Sequence, residues 1–240
     1  SAVAFGEWKN ISNAKEIISM LLLQAGTPIT ARKGAKVESV LNSQFGQPRA
    51  PSQSAIDFYT QFSNPSNSLY TWNRSLPTSL NSFLAGNLAI YFGFASELFG
   101  IQQKNSNLNY DITYVPQTKG TKKSRVFARM NAFAIVKQSK QVPASFMFIN
   151  AMTEVAALTT LEDFSKLPPV RRDMLATPPA DSAEKVVFYN SALISHSWID
   201  PEPTATSIIF RDMIESITSG KSRVIDALSR ADSQLVAELR

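Results

Sequence analysis

The sequence predicts an α/β domain with a small sheet: capped amphipathic helices are many, and apolar runs of strand length are few. One stretch carries much of that prediction, Ser79 to Glu97, a short helix that turns sharply into a strand. Leu80, Phe83 and Leu84 recur at helical spacing, and Gly86 stands where a helix end needs a left-handed residue. Leu88 to Phe92 suits a buried strand, and Gly93 to Ser96 breaks it. Phe94 and Ser96 thus follow a strand's carboxyl end, where open α/β sheets collect ligands.

The other elements follow in order. Ile11, Ala14, Ile17, Ile18, Leu21, Leu22 and Ala25 make one helical face, opened by Ser12 or Asn13 and closed by Gly26. Residues 27–50 are polar and read as a loop with one weak helical turn. Residues 52–62 read as a helix presenting Ile56, Tyr59 and Phe62, stopped by Asn64-Pro65. After the loop 66–77 and the helix–strand unit come a short helix at 96–102 and strands at 110–115 and 132–136. Helices follow over 142–152, 154–164 and 182–194, with Pro168-Pro169 and Pro178-Pro179 as breaks. The tail holds a helix over 204–218 ending at Gly220. A last helix, capped by Ser222, buries Val224, Ala227, Leu228, Ala231, Leu235 and Leu239.

Composition narrows the function classes. At 240 residues, 44% hydrophobic and 18% charged, the chain can bury a sizeable core in one large domain or two small ones. The absence of cysteine excludes thiol catalysis, disulfides and thiolate metal sites. Ile17 to Leu23 is too short to span a bilayer. The first residues form neither a basic n-region nor an apolar h-region, so either a signal was removed or the chain starts partway into a longer protein. The net charge of +5 traces to one loop, residues 117–129, holding Lys119, Lys122, Lys123, Arg125 and Arg129 without an acid. Taking those five from the 24 basic residues leaves as many bases as the 19 acids. A solvated loop explains this, and no nucleic-acid partner is expected.

Several motifs together carry a family resemblance. Phe83-x-x-Gly86-x-x-Ala89 before an apolar strand, Gly6-Glu7-Trp8-Lys9-Asn10-Ile11 before a helix ending Leu-Leu-Leu-Gln-Ala-Gly, and Asp57-Phe58-Tyr59 before Asn64-Pro65 and Tyr70-Thr-Trp-Asn73 stand in order. Asn131 to Lys140, then Trp198 and the run Ile208 to Lys221, complete the set. This chain resembles the extracellular solute-binding proteins of ABC importers, in the sugar-binding group that includes maltose-binding protein. The resemblance implies a type II periplasmic-binding-protein fold, of which the chain holds the C-terminal lobe plus a partial segment of the N-terminal lobe. The lobe comprises 1–125 and 186–240. Residues 126–185 form the crossover strand and helices of the other lobe, most of which is missing, as in an N-terminally truncated fragment. It also implies a sugar solute, an ABC permease partner and an extracytoplasmic location with a lipid anchor. Open apolar faces on 126–185 predict a homodimer or a mobile segment.

A sugar site needs flat aromatic platforms and short polar side chains at the ring edge. Trp8, Trp72 and Trp198 lie in polar loops and are read as cleft-lining rings, with structural plugs as the alternative. Phe94 and Ser96 occupy the strand-end position. Arg129 is placed to hold a hydroxyl pair or an acidic sugar, or forms a surface ion pair. Glu97 caps the helix after it, and Asp200 starts a turn. His196, the sole histidine, reads as buried or helix-terminal rather than catalytic. Glu97, Asp57 and Asp200 would have to converge for the alternative reading, a glycoside-processing enzyme. A third reading makes loop 117–129 a module for anionic polymers. No metal spacing or phosphate loop appears, so neither metal nor cofactor is expected.

Overall fold

The apolar face of residues 11–25 folds as α1 (Ala14–Ala25), which ends at Gly26 in the left-handed region, as its spacing predicts. The computed structural model describes residues 1–120, 123–180 and 182–239. On α1 pack α2 (Pro51–Thr60), which continues as a 3-10 turn over Gln61–Ser63, and α9 (Pro203–Thr218), while α10 (Val224–Glu238) packs on α9 and α2. Ile18, Leu22, Ile56, Tyr59, Phe210, Ile214, Leu228 and Leu235 meet in that core. Each such side chain stabilises the fold by roughly 1.5–3 kcal/mol relative to exposure. α9 opens with Pro203 in its first turn, and the Glu202 carboxylate accepts the Thr204 and Ala205 N–H groups. α10 starts one residue later than expected, with Arg223 at its N-cap; the Ser222 hydroxyl instead accepts from Arg230.

Residues 27–50 are not only a loop. β1 (Thr30–Lys33) and β2 (Lys36–Ser39) form an antiparallel hairpin around Gly34-Ala35, with Thr30 opposite Ser39. The hairpin lies on α10, and Ser39 Oγ donates to Asp232 Oδ1 at 2.5 Å. Its solvent-facing residues are mostly charged, which hid it from a search for apolar alternation.

The helix–strand unit is half as expected. α3 (Ser79–Leu84) ends as the spacing predicts, with Gly86 left-handed. Leu88 to Phe92, however, joins no ladder beyond one parallel bridge between Val3 and Ile90. There the Ala89 and Ile90 N–H groups donate to the Ser1 and Ala2 carbonyls. A 3-10 turn over Ala95–Glu97 then leads into α4 (Leu98–Lys104).

The expected strands at 110–115 and 132–136 do not form either. A strand exists only where a neighbour satisfies its backbone groups, and local pattern cannot supply the neighbour. The pairing that does form is β3 (Val126–Phe127) in parallel with β4 (Ser195–His196). Between β3 and β4 lie α5 (Val142–Met152), α6 (Val155–Ser165), α7 (Arg172–Leu175) and α8 (Ala183–Leu193). α8 packs with α7 and α6, Tyr189 donating to Glu162 at 2.5 Å, and the chain meets β3 again at Ser195. α5 buries no residue, and Phe133, Phe146, Met147, Phe148 and Phe164 are exposed.

Candidate functional site

The aromatic cluster beside β3 begins with α1. Its N-cap residue, Asn13, is left-handed at φ 60° and makes no side-chain cap. Its carboxamide turns away from the helix to the Glu97 carboxylate, 3.1 Å from both oxygens, and to Tyr91 Oη at 3.3 Å. Glu97 Oε2 in turn accepts the Phe94 N–H at 2.9 Å. The expectation that Glu97 caps a helix thus becomes more specific: it closes the turn that carries Phe94. Burial, then the Glu97 charge, push the Tyr91 phenol well above its ordinary range, so it stays protonated and donates.

Phe94 is half-buried and meets Phe127 of β3 edge to face, with ring centroids 6.4 Å apart. The Arg129 guanidinium lies 5.4 Å from the Phe94 centroid and forms an ion pair with Glu16 of α1. Of the two alternatives for Arg129, the structure shows the ion pair, which stands beside the aromatic ring. Ser96, two residues past Phe94, is exposed. The structure brings Phe94 and Arg129 together with Phe127 and Glu16, which sequence reading missed. No local signal marks those two, since residues over 30 apart in sequence meet Phe94.

The tryptophans separate. Trp72 is 1% exposed, its indole N–H donating to Asn10 Oδ1 at 3.2 Å. Trp198 is 9% exposed, stacked on Phe210 with centroids 5.9 Å apart, and its N–H donates to Ser19 Oγ. Lys15 Nζ also lies 5.5 Å from the Trp198 ring. Reading these two as cleft-lining platforms is corrected: their rings fill the core because buried hydroxyl or amide partners satisfy the indole N–H. Trp8 is half-buried against the core, on the segment leading into α1.

The polar candidates are equally separated. Asp200 does more than start a turn, because it accepts from Lys15 at 2.6 Å and from Thr206 at 2.7 Å. Asp57 pairs with Arg49, and Glu97 belongs to the Phe94 turn. The three carboxylates thus sit in three networks with no shared partner. His196 is exposed in β4, its Nδ1 3.0 Å from the Ile194 carbonyl, which excludes the buried alternative. In the basic loop, Lys122 lies outside the described residues. Gln24 Nε2 donates to the Arg125 and Pro116 carbonyls and anchors the loop's flanks to α1. Among the described residues no group of His, Asp or Glu has the arrangement of a metal site.

Two cavities of about 340 Å³ lie away from the aromatic cluster. One is lined by Gln102, Tyr110, Asp111 and Glu184 among others, the second by Trp72, Leu76 and Asn81 with their neighbours. Neither is lined by Phe94, Phe127 or Arg129.

The fold has a counterpart among solved structures. One similar solved structure is a cyclo/maltodextrin-binding protein complexed with maltotetraose, with a TM-score of 0.70 at 14% identity. The match covers 96% of this chain and 59% of that one, so the chain spans under two thirds of the length of that protein. At that identity the likeness concerns the fold, here a maltodextrin-binding type of periplasmic-binding-protein fold held in part. No curated protein sequence matches. The family model for bacterial extracellular solute-binding proteins matches residues 9–187, and the chain belongs to that family.

Proposed function

We propose that this chain serves a protein that captures a carbohydrate, most simply an oligosaccharide, outside the cytoplasm and hands it to an ABC permease. No bond is made or broken. The observation that carries this reading is the Phe94 ring, beside Phe127 and Arg129, where β3 leaves the core. A partly exposed ring with a cation over it and a serine two residues along offers the apolar surface and the polar groups that a sugar ring needs. Trp8 and Ser96 complete the proposed wall, while Trp72 and Trp198 support it from the core. The similar structure in complex with maltotetraose supports a sugar as the solute class. The separate networks around Glu97, Asp57 and Asp200 support binding over glycoside hydrolysis, which needs two facing carboxylates.

In the same reading residues 1–125 and the C-terminal helices form one lobe, and the excursion between β3 and β4 belongs to the other. A second lobe closing on the Phe94 wall would make the cleft that one lobe leaves open. The exposed rings of α5 and the preceding segment are then the surface that the other lobe covers. Without it they favour pairing of two copies. A lipid anchor in the complete protein would hold it near the permease.

Titration calorimetry with a malto-oligosaccharide series tests the site in a protein that contains both lobes. Phe94→Ala should weaken binding by about 1–3 kcal/mol. Affinity unchanged in Phe94→Ala, Trp8→Ala and Arg129→Ala alike would rule out this wall.

A further inference from the structure

We infer that Glu97 and Asn13 are positioning residues, which hold the Phe94 ring in place without touching the solute themselves; the inference rests on the reading of Phe94 as the platform. The Glu97 carboxylate collects donors from three parts of the chain. Tyr91 Oη lies 3.3 Å away at the end of the bridge segment, the Phe94 N–H 2.9 Å away in the turn, and Asn13 Nδ2 3.1 Å away on α1. Asn13 Nδ2 also lies 3.4 Å from the Phe92 carbonyl, so one carboxamide touches both strands of the turn.

The backbone is fitted to this carboxylate. A Cβ at Gly93 would clash with Glu97 Oε2 and stand 2.7 Å from Tyr91 Cε1, so a larger residue there would displace the carboxylate from the turn. Asn13 takes positive φ and leaves the start of α1 without a side-chain cap. An asparagine at this position ordinarily caps the helix with its side chain. Its carboxamide serves the turn instead. Three residues further along α1, Glu16 pairs with the Arg129 that lies beside the Phe94 ring. One helix end thus fixes Phe94 twice, through its backbone and through the cation beside its ring. A platform fixed before the solute arrives loses less freedom on binding, which raises affinity without a new contact.

The test uses Asn13→Gly, which keeps the left-handed backbone and removes only the carboxamide, and Glu97→Gln, which keeps the shape and removes the charge. In the 240-residue chain labelled at phenylalanine, the nuclear Overhauser contact between the Phe94 and Phe127 rings should weaken or vanish in both. The Phe5–Phe62 contact, edge to face at 5.4 Å in the core, should persist as the control for folding. In a two-lobed protein each variant should lower maltotetraose affinity about tenfold, with no added loss on top of Phe94→Ala. A Phe94–Phe127 contact intact in both variants overturns the positioning role. Affinity that falls in Phe94→Ala but not in Glu97→Gln overturns it too, and leaves the platform standing. If Phe94→Ala itself binds normally while the ring contact is lost in the variants, the platform reading fails and the positioning geometry survives.

Discussion

Asn10 is a single carboxamide that joins three segments, and its replacement tests whether Trp72 is a structural ring. Its Nδ2 donates to the Asn73 and Leu76 carbonyls, both at 2.9 Å, and its Oδ1 accepts from the Trp72 indole at 3.2 Å. Asn10→Ala leaves the N–H of a fully buried indole and two carbonyls without partners. An unsatisfied buried group costs about 1–3 kcal/mol, and water can reach part of this site, so the total should be about 3 kcal/mol. In a chain of this length that corresponds to a fall in thermal midpoint of roughly 6–12 °C. Asn10→Asp keeps the acceptor for Trp72 but points a second oxygen at two carbonyls. Only the protonated acid can donate there, so its folded pKa must rise above the ordinary aspartate range. The sign follows: a raised carboxyl binds its proton more tightly when folded, so stability falls as pH rises from the unfolded to the folded pKa. The slope reaches about 1.4 kcal/mol per pH unit in that window. Urea unfolding followed by tryptophan fluorescence at pH 4.5 and pH 7.5 measures both effects. An Asn10→Ala midpoint within about 2 °C of the parent, or an Asn10→Asp variant no more pH-sensitive than the parent, would refute the reasoning.

Other perturbations probe the remaining links. The backbone N–H groups of Ala205 and Thr204 hold the Glu202 carboxyl below its ordinary value of 4.5. Its capping contribution is therefore complete above that value and lost as pH falls through the lowered one; the Glu202→Gln chain should show a flatter acid limb in a melting series. Lys15→Met removes the partner of a half-buried Asp200 and should cost roughly 2 kcal/mol, with most of that loss absent when Asp200→Asn is already present, as a double-mutant cycle by urea titration would read. Phe146→Glu with Phe148→Glu places charge on exposed positions of α5, and light scattering should then report less self-association than in the parent chain. A parent chain that is monomeric at high concentration would remove the basis for pairing.

The helices of this protein were legible in the sequence because their causes are local. The stripe from Ile17 to Leu22 and the closing glycine specify α1, and the Ile209–Ile214 and Ala227–Leu235 patterns specify α9 and α10, each within a few turns of chain. The strands were not, because a ladder needs a second chain segment. Leu88 to Phe92 has the composition of a buried strand yet finds only residues 1–3 as neighbour, while the charged hairpin at 30–39 pairs with itself. The tryptophans show the same division. Polar neighbours in sequence made Trp72 and Trp198 look exposed, but Asn10 and Ser19, 62 and 179 residues away, take their N–H groups into the core. The sequence by itself determined the family, the helical frame and the candidacy of Phe94, Ser96 and Arg129. Only the tertiary structure decided which rings are buried in the core and which stay partly open, because burial and hydrogen-bond satisfaction depend on what folds back against a residue.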